Sequence, residues 1–186
     1  KLNEGGGSVG IDNAAVKETY EEAQQQADML IGAYKMPVIV ERFIEGPEIT
    51  AVAFDDGERV HILCAEKVFK ETEERKYLFT SFESYNDAEC YSYTLADPTV
   101  TEAVTGYARR AFEVLRCRDY AKFDVRVDAE TGTPYFTDAN PNTAFGPNLG
   151  LPMTEVLHMH GIKFSRVLAS LMSKHARRIY APAQLP

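Results

Sequence analysis

Ala121-Lys122-Phe123-Asp124-Val125-Arg126-Val127-Asp128-Ala129-Glu130-Thr131-Gly132-Thr133-Pro134-Tyr135-Phe136-Thr137-Asp138-Ala139-Asn140 is the stretch that decides the fold. Two alternating runs flank an Asp-Ala-Glu-Thr-Gly turn, which is the signature of a β-hairpin. With the turn centred near Thr131, Asp124 falls opposite Asp138, and Lys122 opposite Asn140. Side chains alternate between the faces of a strand. One face then carries Lys122, Asp124, Arg126, Asp138 and Asn140, with Phe136. The other carries Phe123, Val125, Val127, Tyr135, Thr137 and Ala139, and is the expected core side. Like charges directly opposite one another destabilise a pair. A hard cation removes that penalty, and two carboxylates with an amide oxygen suit Mg²⁺, which also takes phosphate oxygens and water. On pattern alone the same face reads equally as a solvated one, on which Lys122 and Arg126 neutralise the aspartates.

Working outward, Val100 to Leu115 has helical spacing, and Glu48 to Phe54 with Val60 to Phe69 form a second hairpin around Asp55-Asp56-Gly57. Val38 to Phe43 reads as a strand that ends at the Gly46-Pro47 turn. Ala14 to Ala33 reads as a helix capped by Asp12 or Asn13. Lys70 to Asp97 is polar, without a clear period. It reads as a mobile active-site loop with a short strand at Tyr77 to Phe82. Helices over Met153 to His160 and Lys163 to about Arg178 close the chain. This order implies an α+β fold with mainly antiparallel sheet and packed helices.

The 186 residues are enough for one domain or a compact pair of lobes. Lys+Arg 20 against Asp+Glu 28 leaves a formal charge of −8. That balance is a poor match for a nucleic-acid backbone. No apolar run approaches the ~20 residues a membrane helix needs. Cys64, Cys90 and Cys117 are scattered and odd in number, which fits buried thiols in a reducing compartment rather than a disulfide frame. His158 and His160 stand two apart and do not share a helix face, so they are not read as a metal pair.

The chain opens on Lys1-Leu2-Asn3-Glu4-Gly5-Gly6-Gly7-Ser8-Val9-Gly10-Ile11. Glycines let backbone N–H groups approach a phosphate closely, and Ser8 and Lys1 add a hydroxyl and a cation. Alone, the same residues read as a flexible terminal loop.

Taken together, three segments resemble the ATP-grasp superfamily, most of all the C-terminal part of D-alanine–D-alanine ligase-type enzymes. The opening resembles the family's K-P-x-x-x-G-S-S-V-G-I phosphate loop. Val40-Glu41-Arg42-Phe43-Ile44-Glu45-Gly46-Pro47-Glu48-Ile49-Thr50 resembles E-x-F-I-x-G-x-E-x-T. Lys122-Phe123-Asp124-Val125-Arg126 and Asp138-Ala139-Asn140-Pro141-Asn142 resemble the R-x-D-F and E-x-N-P-N metal hairpin. The matches follow the family's order along nearly the whole chain. The resemblance implies an ATP-grasp fold over 1–186, truncated at its N-terminal side, with 70–97 closing over the site. It implies ATP held between two antiparallel sheets, with Lys1 on the phosphates and Ser8 over the terminal one. Glu41, Arg42, Phe43 and Ile44 would supply the adenine edge, mostly from backbone, and Glu48 the ribose contact. Asp124, Asp138 and Asn140 would bind Mg²⁺ or Mn²⁺. The implied reaction activates a carboxylate as an acyl phosphate, which an amine then attacks, in the cytoplasm.

Some positions depart from the family pattern. Lys122 replaces its arginine, keeping charge and losing the planar fork. Asp138 replaces a glutamate, and Gly7 a serine. Ser81-Phe82-Glu83-Ser84-Tyr85 lacks the closing-loop lysine, for which Lys67, Lys70 or Lys76 is a candidate substitute. Pro141 to Asn148 replaces the acceptor pocket. The expected substrate is a small amino acid or peptide, with the use of D-alanine left open by these departures. The expected partner is an N-terminal domain of the same protein, and a homodimer is compatible. Two alternatives stay open: a nucleotide- and Mg²⁺-binding module without ligase chemistry, and an ATP-grasp carboxylase or synthetase with another acceptor such as bicarbonate.

Overall fold

The structure is a computed structural model, and it describes residues 1–70, 77–87, 89–147 and 150–180, with the side chains of 178–180 excepted. Two compact units form: Lys1–Ile44 with Val68–Ser92, and Glu45–Lys67 with Tyr93–Pro186.

The second unit is organised by strands β1 (Glu48–Asp55), β2 (Val60–Phe69), β3 (Tyr91–Leu95), β4 (Tyr120–Val127) and β5 (Pro134–Asn140), in the order β3-β2-β1-β4-β5. The ends of β2 and β3 belong to the first unit. β1 pairs antiparallel with β2 and β4, and β4 with β5. β1 is the central strand, buried at every position but its last. That explains its near-continuous apolar run, since a strand covered on both faces has no solvent side to keep polar. On one face Ile49, Ala51 and Ala53 join Phe123, Val125 and Val127 against Val104, Ala108 and Phe112 of helix α3 (Pro98–Val114). On the other, Val52, Phe54 and Ala65 pack against Met153, Val156 and Leu157 of α4 (Pro152–Met159) and Val167 and Leu171 of α5 (Phe164–Tyr180). Each large side chain buried this way stabilises the fold by roughly 1.5–3 kcal/mol.

Two hairpins carry that sheet. At the first, Asp55 Oδ1 accepts from Gly57 N at 2.9 Å and Asp56 Oδ1 from Glu58 N at 2.8 Å. At the second, Asp128 Oδ1 accepts from Glu130 N and Thr131 N at 3.0 and 2.9 Å, and Gly132 takes φ +67°. These Asx contacts are why aspartates sit where the chain reverses. α3 starts on Asp97, whose carboxylate accepts from Thr99 N at 2.8 Å, with proline in its first turn.

In the first unit, α1 spans Tyr20–Tyr34. The expected start at Ala14 is corrected: Thr19 caps the helix in a full capping box with Glu22, while Asp12 caps only a local turn at Ala14 N. The strand expected over Val38 to Phe43 does not form, apart from one bridge, Leu2 with Val38. Strand propensity depends on a half-buried pleated surface, and here Val40 is exposed. The strand expected at Tyr77 to Phe82 is replaced by a short helix α2 (Phe82–Asn86) on a Ser81–Ser84 capping box. Residues 71–76 and 88 of the expected loop lie outside the described residues. Within it, Tyr91–Leu95 forms β3, which alternation in so short a polar run did not announce.

The β4–β5 register is the expected one at Lys122↔Asn140 and Asp124↔Asp138, then shifts between Asp124 and Val125 so that Val125 faces Phe136. This irregularity corrects the place of Phe136. It lies on the core side, edge-on to Phe123 with ring centroids 5.7 Å apart. A bulge switches side-chain parity beyond it.

Candidate nucleotide and metal site

The second unit's central face is divided along its strands. The half with Val52, Phe54 and Ala65 lies under α4 and α5. The other half is polar, because β1 places Glu48 and Thr50 there, β2 Lys67, and β4 Lys122, Asp124 and Arg126, while β5 adds Asp138 and Asn140.

Register puts Glu48 opposite Lys67 on one side and Arg126 on the other. All three are buried, at 6%, 5% and 7% exposure. Lys67 Nζ donates to Glu48 Oε1 at 3.1 Å, and Arg126 Nη1 to Oε2 at 3.4 Å. Arg126 Nη2 also donates to Gly46 O at 2.8 Å. Burial pulls the guanidinium's pKa down, and Glu48 opposes that shift. Glu48 is therefore no surface charge at a strand end. Arg126, expected to neutralise the aspartates, serves Glu48 and the Gly46 turn instead.

Next along the face, Thr50 lies opposite Asp124. Lys122 Nζ donates to Asp124 Oδ2, and Asn140 Nδ2 contacts Asp124 Oδ2 at 3.5 Å and Asp138 Oδ2 at 3.1 Å. One amide thus spans both carboxylates. Lys122 is buried, and Asp138 is exposed. Asp124 Oδ1 and Thr50 Oγ1 are buried without a hydrogen-bond partner. An unpaired buried carboxylate oxygen carries a full desolvation cost. The solvated-face reading is corrected in that Lys122 and Arg126 are buried, while the neutralisation of Asp124 by Lys122 that it expected is present.

A divalent cation fits this donor set. Asp124 offers a buried, unpartnered oxygen, Asp138 an accessible carboxylate, and Asn140 an amide within reach of both. Among the described residues no group of three or more His, Cys, Asp or Glu is placed to hold a metal alone. Two carboxylates and an amide suit an ion that takes its remaining ligands from phosphate and water.

In the first unit, Lys1 Nζ meets Glu41 Oε2 at 2.6 Å, and Ile39 N donates to Lys1 O at 2.8 Å. Arg42 is exposed, Phe43 packs edge-on against Tyr77 and Phe79, and Ile44 is buried. Ser8 sits in the glycine loop at φ +56°, the left-handed region, and its carbonyl accepts from Ile11 N at 3.0 Å. α2 fastens that loop. Phe82 N donates to Ile11 O at 2.7 Å, and Ser81 Oγ to Asn13 Oδ1 at 2.7 Å. Ser84 is fully buried, its Oγ accepting from Ser81 N, so it is part of the fastening. Of the lysines weighed for a closing loop, Lys67 is buried on Glu48, Lys70 is exposed near Glu89 at 3.9 Å, and Lys76 lies outside the described residues. His160 Nε2 lies 2.9 Å from Cys64 O, an ordinary structural contact, and burial pushes the Cys64 thiol up to about 11.

The expected residues thus gather in two places. Lys1, Ser8, Glu41, Arg42, Phe43 and Ile44 lie in the first unit, and Glu48, Lys122, Asp124, Asp138 and Asn140 share one face of the second. Lys67 and Thr50 were not singled out for that face, although the hairpin register about Asp55-Asp56-Gly57 is enough to set Lys67 against Glu48.

Solved structures share this architecture. D-alanine–D-alanine ligase from Bacillus anthracis, complexed with ATP, superposes with TM-score 0.62 at 19% identity, over 88% of this chain and 50% of that one. An L-amino acid ligase from Bacillus licheniformis superposes with TM-score 0.55 at 17% identity, over 83% of this chain and 35% of that one. These likenesses define the fold as ATP-grasp. Residues 1–173 match the family described as D-ala D-ala ligase C-terminus, and the chain belongs to that family. Among curated relatives, D-alanine–D-alanine ligase of Albidiferax ferrireducens is 26% identical over 96% of this chain and 49% of its own length. D-alanine–D-alanine ligase B of Clostridium perfringens is 32% identical over 75% of this chain and 42% of its own length. The chain spans about half the length of the curated relatives it matches. No helix among the described residues is long and apolar enough to cross a membrane.

Proposed function

We propose that the chain is part of an ATP-dependent carboxylate–amine ligase that works through an acyl phosphate. The observation that carries this reading is the polar half-face, where Glu48, Lys122, Asp124, Asp138 and Asn140 converge and Asp124 Oδ1 is buried without a partner. The names of the relatives, D-alanine–D-alanine ligase and L-amino acid ligase, support amino-acid substrates.

In this reading Lys1 and the Ser8 loop bind the phosphates, and Glu41 to Ile44 hold the adenine edge, mostly through backbone. Glu48 accepts from the ribose hydroxyls. Asp124, Asp138 and Asn140 would hold Mg²⁺, or Mn²⁺, which when bound neutralises charge on the transferring phosphoryl group. Lys122 keeps a cation beside the same carboxylates and shields the acyl phosphate oxygens electrostatically. The carboxylate oxygen of the first substrate attacks the terminal phosphorus and ADP leaves. The amine of the second then attacks the acyl carbon and phosphate leaves, so one C–N bond forms for each ATP split. An N-terminal domain of the same protein is the partner, a homodimer is compatible, and the cytoplasm supplies ATP and free amino acids.

One observation favours a second reading, a nucleotide-binding module without ligase chemistry: Lys122 is already engaged by Asp124. Phosphate release by the whole protein, assayed with paired amino acids and short peptides, separates the two. Release that needs both a carboxylate and an amine supports the ligase. Release that depends on neither contradicts it, and dependence on bicarbonate alone points to a carboxylase.

A further inference from the structure

Buried ionic groups are costly, and well-packed apolar residues of similar volume are often as stable or more so. The same sheet face uses that cheaper solution at Val52, Leu63 and Ala65. Past Thr50 it carries Lys67, Glu48 and Arg126 instead, from three adjacent strands. The two cations address different oxygens of Glu48, at 3.1 and 3.4 Å, and Arg126 also grips Gly46 O at 2.8 Å. The Gly46 turn is itself held on β4 by Val127 N donating to Pro47 O at 3.0 Å and Ala129 N to Glu45 O at 2.9 Å. The carboxylate is therefore braced from both sides against a hydrogen-bonded turn.

We propose that Lys67 and Arg126 are positioning residues that aim the Glu48 carboxylate at a cis-diol, and so set a preference for ribonucleotides over deoxynucleotides. This rests on the reading of Glu48 as the ribose contact. A glutamate side chain loses substantial rotamer freedom when it is ordered. Two braces impose that order before the nucleotide arrives, so less affinity is lost to it. A carboxylate has about four acceptor sites, so cations and hydroxyls can share it. A nucleotide lacking one hydroxyl leaves part of the aimed carboxylate without its donor, which is where discrimination arises.

The test uses the whole protein and three probes: ATP, 2′-deoxy-ATP and 3′-deoxy-ATP. Affinity ratios are measured for wild type, Lys67→Met, Arg126→Met, Lys67→Arg and Arg126→Lys. Wild type is expected to favour ATP by about tenfold or more. The ratio is expected to fall in the order wild type, charge-keeping variants, methionine variants, reaching about one-fifth of the wild-type value or less in the last. Should the methionine variants not fold, the charge-keeping variants decide alone, since both displace the brace while keeping its charge. A merely structural role weakens all three nucleotides alike and leaves the ratio unchanged, which overturns the proposal. Equal binding of the three nucleotides by wild type overturns the assignment of Glu48 as well. A wild-type preference that survives every variant overturns the positioning role alone.

Discussion

At Gly46 the backbone takes φ +139°, and an added Cβ would meet Val127 O at 1.9 Å and Ala129 N at 3.0 Å. Gly46→Ala therefore forces two backbone segments apart and strains φ as well. Loss of stability of about 2–4 kcal/mol is expected by urea denaturation. An unchanged midpoint would show that the turn relaxes freely. Asp124, by contrast, has one oxygen on Lys122 and Asn140 and the other buried without a partner. Its pairing with Asp138 was legible from the alternation of Lys122 to Val127 and the Asp-Ala-Glu-Thr-Gly turn alone. The enclosure of its Oδ1 was not, because it depends on neighbouring strands that only the full register brings together. Phe136 was misplaced for a related reason: a bulge between Asp124 and Val125 leaves no mark in a period-two pattern.

Among the elements, hairpins were the most legible and single strands the least. β1 and β2 carry both strand runs and the turn between them, and all three agree. Val38 to Phe43 has strand composition, and forms one bridge, Leu2 with Val38. α5 is tied to one end of the sheet's apolar half, where β1 finishes beside the start of β4, by Lys174, which donates to Asp55 Oδ2 at 2.7 Å and Asp119 Oδ1 at 3.0 Å, while His175 Nε2 lies 2.7 Å from Asp119. Burial works against charge at Lys174 and Asp119. Their mutual hydrogen bonds and charges, with those of Asp55 and His175, outweigh it, so the Lys174 pKa is raised and the Asp119 pKa lowered. A lowered carboxyl pKa adds stability that is full above its unfolded value and fades as pH falls through the folded one. A raised ammonium pKa adds stability that is full below its unfolded value and fades as pH rises through the folded one. The tie is therefore complete between about pH 5 and pH 9. Lys174→Met is expected to cost about 1 kcal/mol at pH 7, since the groups are only partly buried, and clearly less near pH 3. Equal cost at the two pH values would remove the electrostatic explanation. In the core between β4 and α3, Phe123 is fully buried, and Phe123→Ala is expected to cost about 3–5 kcal/mol by the same denaturation measurement.

For the molecule as a whole, the three ordered motifs fall in two compact units. The glycine loop and Glu41 to Ile44 lie in the first, and Glu48 with the metal hairpin lies in the second. The order of motifs was legible because each rests on local chemistry: glycines, a strand–turn, and paired carboxylates on a hairpin. The braces on Glu48 were less so, since Lys67 and Arg126 come from strands on opposite sides of β1 and only the full register unites them. The central claim is that the polar half-face is a nucleotide–metal site. Calorimetric titration of the whole protein with ATP, with and without Mg²⁺, beside Asp124→Asn and Asp138→Asn, tests it most directly. Mg²⁺ is expected to tighten ATP binding by about tenfold or more, and either substitution to abolish that gain while leaving the Mg²⁺-free affinity close to wild type. A Mg²⁺ effect that persists in both variants, or none in wild type, would contradict it.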